Sequence, residues 1–404
     1  MLTQFDPLSP DAIADPYPFL ARLRAEMPVV YCEAIDMWLV TRHRDVEEVF
    51  LDPGRFSASI AQAPLSPMCD EAMAILKADF GIEPTMSNFD PPGHGRIRRT
   101  LARAFSTRRM RILEPVISAR CAEILDGIAS KGSADLARDL CYPLPALTIF
   151  AMIGFPEEDA DQIKDWCADK LVVNWGRPSP AQQIRAAKTM VAFWQYCTEY
   201  VKRRRSDPGD NLVADLMQDA AVEPALTNNE ISSIIFGLSF AGHETTTNQL
   251  ANCIQAICET DLWPTLRADR DRIPAVIEES LRFVSSVIAW RRIASEDTTI
   301  GDTDVPKGAK LLLSLAGANR DPDRFADPDC FDPDRDNARR HLSFGKGIHL
   351  CLGAHLARLE IGIVLNQMLD RFADLSLVAD QDADFPPNVS FRGPVSLPAT
   401  WISA

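Results

Sequence analysis

Residues 341–353 read His-Leu-Ser-Phe-Gly-Lys-Gly-Ile-His-Leu-Cys-Leu-Gly, and this stretch decides the fold. Its three glycines permit tight turns with positive φ and let the backbone approach a flat ligand closely. Cys351 directly precedes a predicted helix over residues 352–372, whose unpaired N–H groups and positive potential favour a thiolate. A thiolate in a glycine-lined loop can ligate iron, and one cysteine is then enough. The alternative is a buried free cysteine beside a turn.

The surrounding sequence is that of an acidic globular protein. Of the 404 residues, 46% are hydrophobic and 25% are charged, which excludes a disordered chain and a disulfide miniprotein. A net charge of −15 disfavours nucleic acid and anionic membranes as partners. The ten cysteines include no CxxC pair, which excludes zinc-ribbon and thioredoxin sites. Because there is neither a signal pattern at residues 1–10 nor an apolar run that could span a bilayer, we expect a cytoplasmic protein.

Apolar periodicity predicts a single domain over residues 1–404 that is mainly α-helical with a small β part. The clearest helix begins at the capping box Thr227–Glu230 and continues for about 30 residues without a proline. Its first half is apolar on nearly all faces, so we expect it to be central and buried. Shorter helices are predicted over 18–26, 44–51 and 273–283, and strands over 29–31, 37–41, 298–300 and 310–315.

Glu244 and Thr245 interrupt the apolar sequence of that long helix. A buried acid and a buried hydroxyl are costly unless they are hydrogen-bonded. Thr245 could bond to the carbonyl one turn earlier; the alternative is a functional groove, formed where the helix opens at Ala241–Gly242. An HExxH zinc site is excluded because Thr247 occupies the position of the second histidine.

Four motifs, in order along the chain, resemble those of the cytochrome P-450 superfamily. The resemblance implies a mainly helical triangular prism with a small β part, built around haem b (iron-protoporphyrin IX). The motifs are His94-Gly-Arg-Ile-Arg98 for the HxxxR helix, Ala241-Gly-His-Glu-Thr-Thr246 for the oxygen-activating helix, Glu279-Ser-Leu-Arg282 for the ExxR helix, and Phe344-Gly345-x-Gly347-x-His349-x-Cys351-x-Gly353 for the haem-binding loop.

The resemblance implies a role for each matched residue. Cys351 would be the axial iron ligand. Electron donation by its thiolate would favour O–O cleavage. Cationic or N–H donor side chains would bind the haem propionates, whereas the alternative for the arginines is a surface ion pair. These side chains are His94, Arg98, Arg292 and His349, and Phe344, Gly345, Gly353 and Ala241 would also contact the haem. The pair of Glu279 and Arg282 would be buried and would hold Arg335.

The same resemblance gives the two polar residues of the long helix a catalytic role. Thr245 would hydrogen-bond the oxygen that is being activated, and Glu244 would relay protons from solvent. Both would act beside a groove for O₂ where the helix opens at Ala241–Gly242.

Three further segments resemble the haem domain of the self-sufficient bacterial branch, in which that domain is fused to a flavin and iron–sulfur reductase. They are residues 174–178, 285–292 and 388–394. No cysteine cluster or phosphate-binding loop follows, so we expect electrons from NAD(P)H through a separate ferredoxin or flavodoxin-type donor. A docking patch for it, with ordinary solvated charge as the alternative, is predicted at Arg99, Arg103, Arg108, Arg109, Arg339, Arg340 and Lys346, whereas Arg98 is assigned inward to the haem.

The expected activity is that of a haem-thiolate monooxygenase. It would insert one atom of O₂ into a small apolar or aromatic substrate, by hydroxylation or O-dealkylation. The alternatives are an H₂O₂-driven peroxygenase and a non-catalytic haem sensor or carrier. No lysine or aspartate stands out to bind an ionic substrate, and the predicted pocket walls are Ile234, Leu238, Ala241, Val287, Ile288, Ala289 and Phe391.

Overall fold

The computed structural model describes residues 5–207, 209–218, 224–379 and 384–403. Most of these residues are helical. The helices are α1 Pro10–Ala14, α2 Tyr17–Glu26, α3 His43–Leu51, α4 Asp70–Asp79, α5 Gly93–Ala104, α6 Thr107–Ala129, α7 Pro143–Ile153, α8 Ala160–Trp175, α9 Pro180–Arg204, α10 Leu212–Gln218, α11 Asn228–Glu259, α12 Trp263–Ala268, α13 Ile273–Phe283, α14 Leu315–Asn319 and α15 Ala354–Arg371.

The strands form three small sheets. They are β1 Val29–Cys32, β2 Met37–Val40, β3 Phe56–Ser57, β4 Ser133–Asp135, β5 Ala289–Ala294, β6 Thr298–Ile300, β7 Thr303–Val305, β8 Lys310–Ser314, β9 Phe372–Leu377 and β10 Pro398–Ser403. The largest sheet has the order β1-β2-β8-β5-β3, with β8 parallel to β2 and the other pairs antiparallel. The second has the order β4-β10-β9, and β6 pairs with β7.

Helix α11 is the central element of the helical part, as its apolar sequence predicts. Its capping box is complete: the Thr227 hydroxyl accepts from the amide of Glu230, and the Glu230 carboxylate accepts from the amide of Thr227. The helix packs against α7, α9 and α13. Almost every residue from Ile231 to Ile257 is shielded from solvent or faces an internal cavity.

The predicted opening of α11 at Ala241–Gly242 is wrong, because the helix is continuous from Asn228 to Glu259. A Cβ at Gly242 would lie 2.6 Å from Cγ1 of Ile149. The glycine therefore serves the close approach of α7 to α11. The Thr245 hydroxyl donates to the carbonyl of Ala241 over 2.9 Å, which is the backbone bond that the sequence left open as an alternative.

The remaining elements lie close to their predicted positions. The hairpin of β1 and β2 is present, with Val29 opposite Val40, and α13 has the predicted bounds. The last helix begins at Ala354, two residues later than predicted, because Gly353 is its N-cap. None of the helices in the described ranges has the length and hydropathy required to cross a membrane.

Candidate active site

A cavity of about 440 Å³ lies between α11 and the loop that carries Cys351. Thr245 and Ala241 face it from α11, and Cys351 faces it from the loop. Strand β5 contributes Trp290 and Arg292. The cavity therefore joins the residues of the oxygen-helix motif to those of the cysteine loop, which lie about a hundred residues apart in the sequence.

The cysteine loop is shaped by two glycines in the left-handed region. Gly345 has φ 70° and Gly347 has φ 69°, and a Cβ at Gly347 would lie 2.7 Å from the carbonyl oxygen of Phe50. Gly353 does not share this conformation, since its φ is −78°. The turn is closed by the Cys351 amide, which donates to the carbonyl of Phe344 over 2.9 Å.

The Cys351 side chain is directed into the cavity, which leaves it accessible although protein surrounds it. This enclosure raises the pKa of the Cys351 thiol. The amides of Gly353 and Ala354 and the charges of Arg98 and Arg358 act in the opposite direction and favour the thiolate. The sequence-based expectation of amide donors at the start of α15 is thus confirmed.

Of the four side chains predicted to bind propionates, Arg98, Arg292 and His349 line the cavity, and His94 packs against His349. The rings of His94 and His349 lie 4.4 Å apart, and the buried Nε2 atoms of both lack a hydrogen-bond partner. Arg98 and Arg292 line the cavity. Burial lowers the pKa of Arg292 to about 10 and that of His349 to about 4. Buried ring nitrogens without partners and two arginines, beside a cavity that a thiol enters, fit a flat cofactor with two carboxylates and an iron atom.

Glu279, Arg282 and Arg335 form the buried ion network that the sequence motifs predict. The Nε and Nη2 atoms of Arg282 donate to the two carboxylate oxygens of Glu279, over 2.8 and 2.6 Å. Arg335 completes the group through a 3.3 Å contact with Glu279. Because Glu279 and Arg282 are fully buried, the loss of one partner would leave an uncompensated charge.

A second buried group was missed at the sequence level. Glu278 accepts two hydrogen bonds from Arg358 of α15, and its Oε2 lies 3.4 Å from Nε2 of His341. These contacts hold the pKa of Glu278 at about 2, against the effect of burial. The signal was available, since Glu278 directly precedes the ExxR motif and follows the apolar pair Val276 and Ile277 on the same helix.

The structure separates the two predicted catalytic residues of α11. Thr245 lines the cavity, whereas Glu244 lies outside the described lining, 3.9 Å from the Nδ1 atom of His243. The Glu244 side chain is 12% exposed, and burial raises its pKa to about 7. Glu244 is therefore a largely buried acid that holds or releases a proton near neutral pH.

The three segments that resemble the self-sufficient branch meet at one place. Trp175 packs on Trp290 and Phe391 with ring centroids 5.1 and 5.9 Å apart, and the Trp175 carbonyl accepts from the amide of Val389. The amide of Arg392 donates to the carbonyl of Ser286. Together they form one wall of the cavity.

Five of the seven predicted wall residues line the cavity: Ile234, Leu238, Ala241, Val287 and Phe391. The prediction is wrong for Ile288 and Ala289, which line a separate small pocket with Phe5 and Leu20. Successive side chains of a strand point to opposite faces, so the entry of Trp290 into the cavity directs Ala289 away from it.

Lys170 of α8 also lines the cavity, contrary to the expectation of a wall without lysine. It is only 7% exposed. The spacing of Ile163, Cys167, Lys170 and Asn174 places this lysine on the buried face of α8, a signal that the sequence contains.

The predicted docking patch is only partly available. Arg109 is engaged by Asp215 and Asp210, and Lys346 by Glu47 over 2.8 Å. The exposed members are Arg99, Arg103, Arg108, Arg339 and Arg340.

Comparisons with known proteins agree with this geometry. The family model described as Cytochrome P450 matches residues 267–394. Cytochrome P450 107B1 of Saccharopolyspora erythraea is 34% identical over 370 residues, which cover 90% of this chain and 89% of the relative.

Two solved structures are similar throughout the chain. Cytochrome P450 CREJ in complex with (4-ethylphenyl) dihydrogen phosphate is 36% identical, with a TM-score of 0.94 and full coverage of both chains. An intact type IV self-sufficient cytochrome P450 monooxygenase is 36% identical with a TM-score of 0.95, and the match covers 99% of this chain and 53% of that one. The sequence, the fold and the cysteine cavity thus agree, and the chain belongs to the cytochrome P450 family of haem-thiolate monooxygenases.

Proposed function

We propose that this protein is a haem b monooxygenase that oxidises a small organic substrate with an apolar or aromatic body. In this proposal residues 1–404 form one haem domain, and electrons come from NAD(P)H through a separate ferredoxin or flavodoxin-type donor. The observation that carries the proposal is the placement of Cys351 and Thr245 on one cavity, beside the buried ring nitrogens of His94 and His349 that lack partners.

The chain's own residues account for the binding of the cofactor. Cys351 would hold the iron through its thiolate, and the side chains of His94, Arg98, Arg292 and His349 would pair with the two carboxylates. The remaining contacts would come from Phe344, Gly345, Gly353 and Ala241. When bound, the haem supplies the redox centre at which O₂ is activated.

The protein's contribution to proton delivery comes from α11. The Thr245 hydroxyl donates a hydrogen bond to the Ala241 carbonyl, so the lone pairs of its oxygen can accept a hydrogen bond from a group in the cavity. Glu244 lies one residue away, largely buried, with a pKa of about 7. An acid with this pKa can exchange protons with water near neutral pH, which suits a relay toward Thr245.

The walls of the cavity support a substrate with a compact apolar body. Leu238 and Val287 contribute aliphatic surface, and Phe240, Trp290 and Phe391 contribute aromatic rings. The similar structure of CREJ holds a single-ring compound with a short alkyl group, which supports the same size class here.

The replacement of Thr245 by alanine tests this proposal. We expect Thr245→Ala to bind haem and substrate normally but to lower the amount of product formed per NAD(P)H consumed several-fold, since the hydroxyl no longer assists protonation. Thr245→Ser is the matched control, because it keeps the hydroxyl and should retain most of the coupling. Equal coupling in all three proteins would make Thr245 a structural residue. Turnover with H₂O₂ and none with O₂ and an electron donor would replace the monooxygenase by a peroxygenase.

A further inference from the structure

The cavity contains a buried cation that the proposed chemistry does not use. Lys170 projects from α8 into the cavity wall and is 7% exposed. The lysines that form ion pairs within the described ranges are Lys164, Lys310 and Lys346, and Lys170 is not among them. Burial without a carboxylate is costly for an ammonium group, so this arrangement requires a reason.

The immediate surroundings of Lys170 stabilise a positive charge only in part. Its Nζ atom donates to Oε1 of Gln62 over 3.3 Å and lies 4.5 and 5.5 Å from the ring centres of Phe240 and Phe236. The neighbouring Cys167 thiol is neutral, because burial raises its pKa. The pKa of Lys170 is lowered to about 8 by burial, so the amine is still mostly protonated at neutral pH.

Two side-chain amides, those of Gln62 and Asn174, lie beside this lysine and could donate to a ligand. Oε1 of Gln62 accepts from both Lys170 and Nδ2 of Asn174, so the Gln62 amide nitrogen must turn elsewhere. Both amide side chains line the cavity with Lys170. Two amides and one ammonium therefore form a compact donor cluster, next to the aromatic rings of Phe236 and Phe240.

The distance along α11 between Phe240, which contacts the Lys170 ammonium, and Thr245 indicates the length of a ligand that could reach both. Phe240, which contacts the ammonium, precedes Thr245 by five residues, or about 7.5 Å along the axis of α11. This separation is similar to the length of one para-substituted benzene ring. A ligand held by its charged end at Lys170 would thus place its far end near Thr245.

We infer that Lys170, with Gln62 and Asn174, binds a single negative charge on the substrate, and that the substrate is a small aromatic or aliphatic carboxylate oxidised at the end remote from its carboxyl group. The inference rests on the proposed monooxygenase function. A carboxylate matches one ammonium in charge, whereas a phosphate monoester carries nearly two charges at neutral pH and would leave one uncompensated.

The test compares ligands that differ only in charge. The haem-loaded protein is titrated near pH 7 with 4-ethylbenzoate, 4-ethylbenzamide and 4-ethylphenyl phosphate, followed by calorimetry and by the shift of the Soret band. We expect the benzoate to bind roughly tenfold or more tightly than the amide, and more tightly than the phosphate. Tighter binding of the phosphate would overturn the assignment to a singly charged group.

Three variants locate the effect. Lys170→Met keeps the length and apolar stem but removes the charge, and should abolish the preference for the benzoate over the amide. Lys170→Arg should retain much of that preference. Lys164→Met is the control, since Lys164 is on the same helix, pairs with Asp161 and is not among the described cavity residues; it should leave the preference unchanged.

The outcomes separate this inference from the proposed function. If the parent protein prefers the amide, or if Lys170→Met keeps the preference for the benzoate, Lys170 is not an anion site, although oxidation of neutral compounds would leave the monooxygenase function intact. If no compound is oxidised with O₂ and electrons, the proposed function fails, while the calorimetric preference still reports on the anion site.

Discussion

The pKa of Glu244 connects one residue to the stability of the whole chain. Burial raises this pKa from 4.5 to about 7, so the folded protein holds the proton more tightly than the unfolded chain does. Stability is therefore highest below about pH 4.5 with respect to this group and falls as the pH rises toward 7. Above pH 7 the full cost of ionising the buried carboxyl applies, on the order of 3 kcal/mol.

Glu244→Gln removes this cost, because the amide has no charge to bury. We expect the variant to exceed the parent protein in Tm by several degrees at about pH 8, and by much less at about pH 5. Glu259→Gln, an exposed change at the end of the same helix, is the control and should show no such pH dependence. An equal gain for Glu244→Gln at both pH values would mean that Glu244 is ionised in the folded protein throughout this range.

At the scale of the element, α11 shows that two glycines of one helix have different roles. A Cβ at Gly242 would meet Ile149 of α7 at 2.6 Å, whereas a Cβ at Gly237 would meet only the Thr85 hydroxyl at 3.9 Å. We expect Gly242→Ala to destabilise the protein by about 1–3 kcal/mol through overpacking, measured by denaturant unfolding. Gly237→Ala should be neutral or stabilising by up to about 1 kcal/mol, because alanine favours the helix.

A second substitution identifies the cause. Ile149→Ala removes the side-chain atoms that a Cβ at Gly242 would strike, apart from its own Cβ. The double variant should therefore be clearly more stable than the sum of the two single effects predicts. Additive effects would show that the cost of Gly242→Ala arises elsewhere.

The elements themselves could largely be predicted from the sequence, because their causes are local. The capping box at Thr227 and the alternation in β1 and β2 act within a few residues. The role of Gly242 could not be predicted, since it depends on Ile149, nearly a hundred residues earlier. The side-chain direction of Ala289 could not be predicted either, because it depends on which face of β5 lies against the cavity. Lys170 lies between these cases, because its position on the buried face of α8 was visible in the periodicity.

At the scale of the whole molecule, the charges are unevenly distributed. The chain carries a net charge of −15, yet exposed arginines occur on α5 and just before the cysteine loop. Arg99 adjoins Arg98, which lines the cavity beside Cys351, and Arg340 precedes the loop. The apolar Ile348 and Leu350 of the cysteine loop are 36% and 44% exposed. Exposed apolar side chains on this loop, with cations on α5 and just before the loop, suit an acidic electron donor.

We therefore expect the rate of donor-supported reduction to fall as ionic strength rises, because salt screens the charges that steer association. The pair of changes Arg99→Glu and Arg340→Glu should slow reduction at low salt roughly tenfold or more. Arg109, engaged by Asp210 and Asp215, is a poorer site for this test. Arg185→Glu, a single charge reversal on α9 with half of this change, should have little effect. H₂O₂-driven turnover should be nearly the same in every variant since it needs no donor. If reduction responds neither to salt nor to the charge reversals beside the cysteine loop, the electrons enter through a different surface.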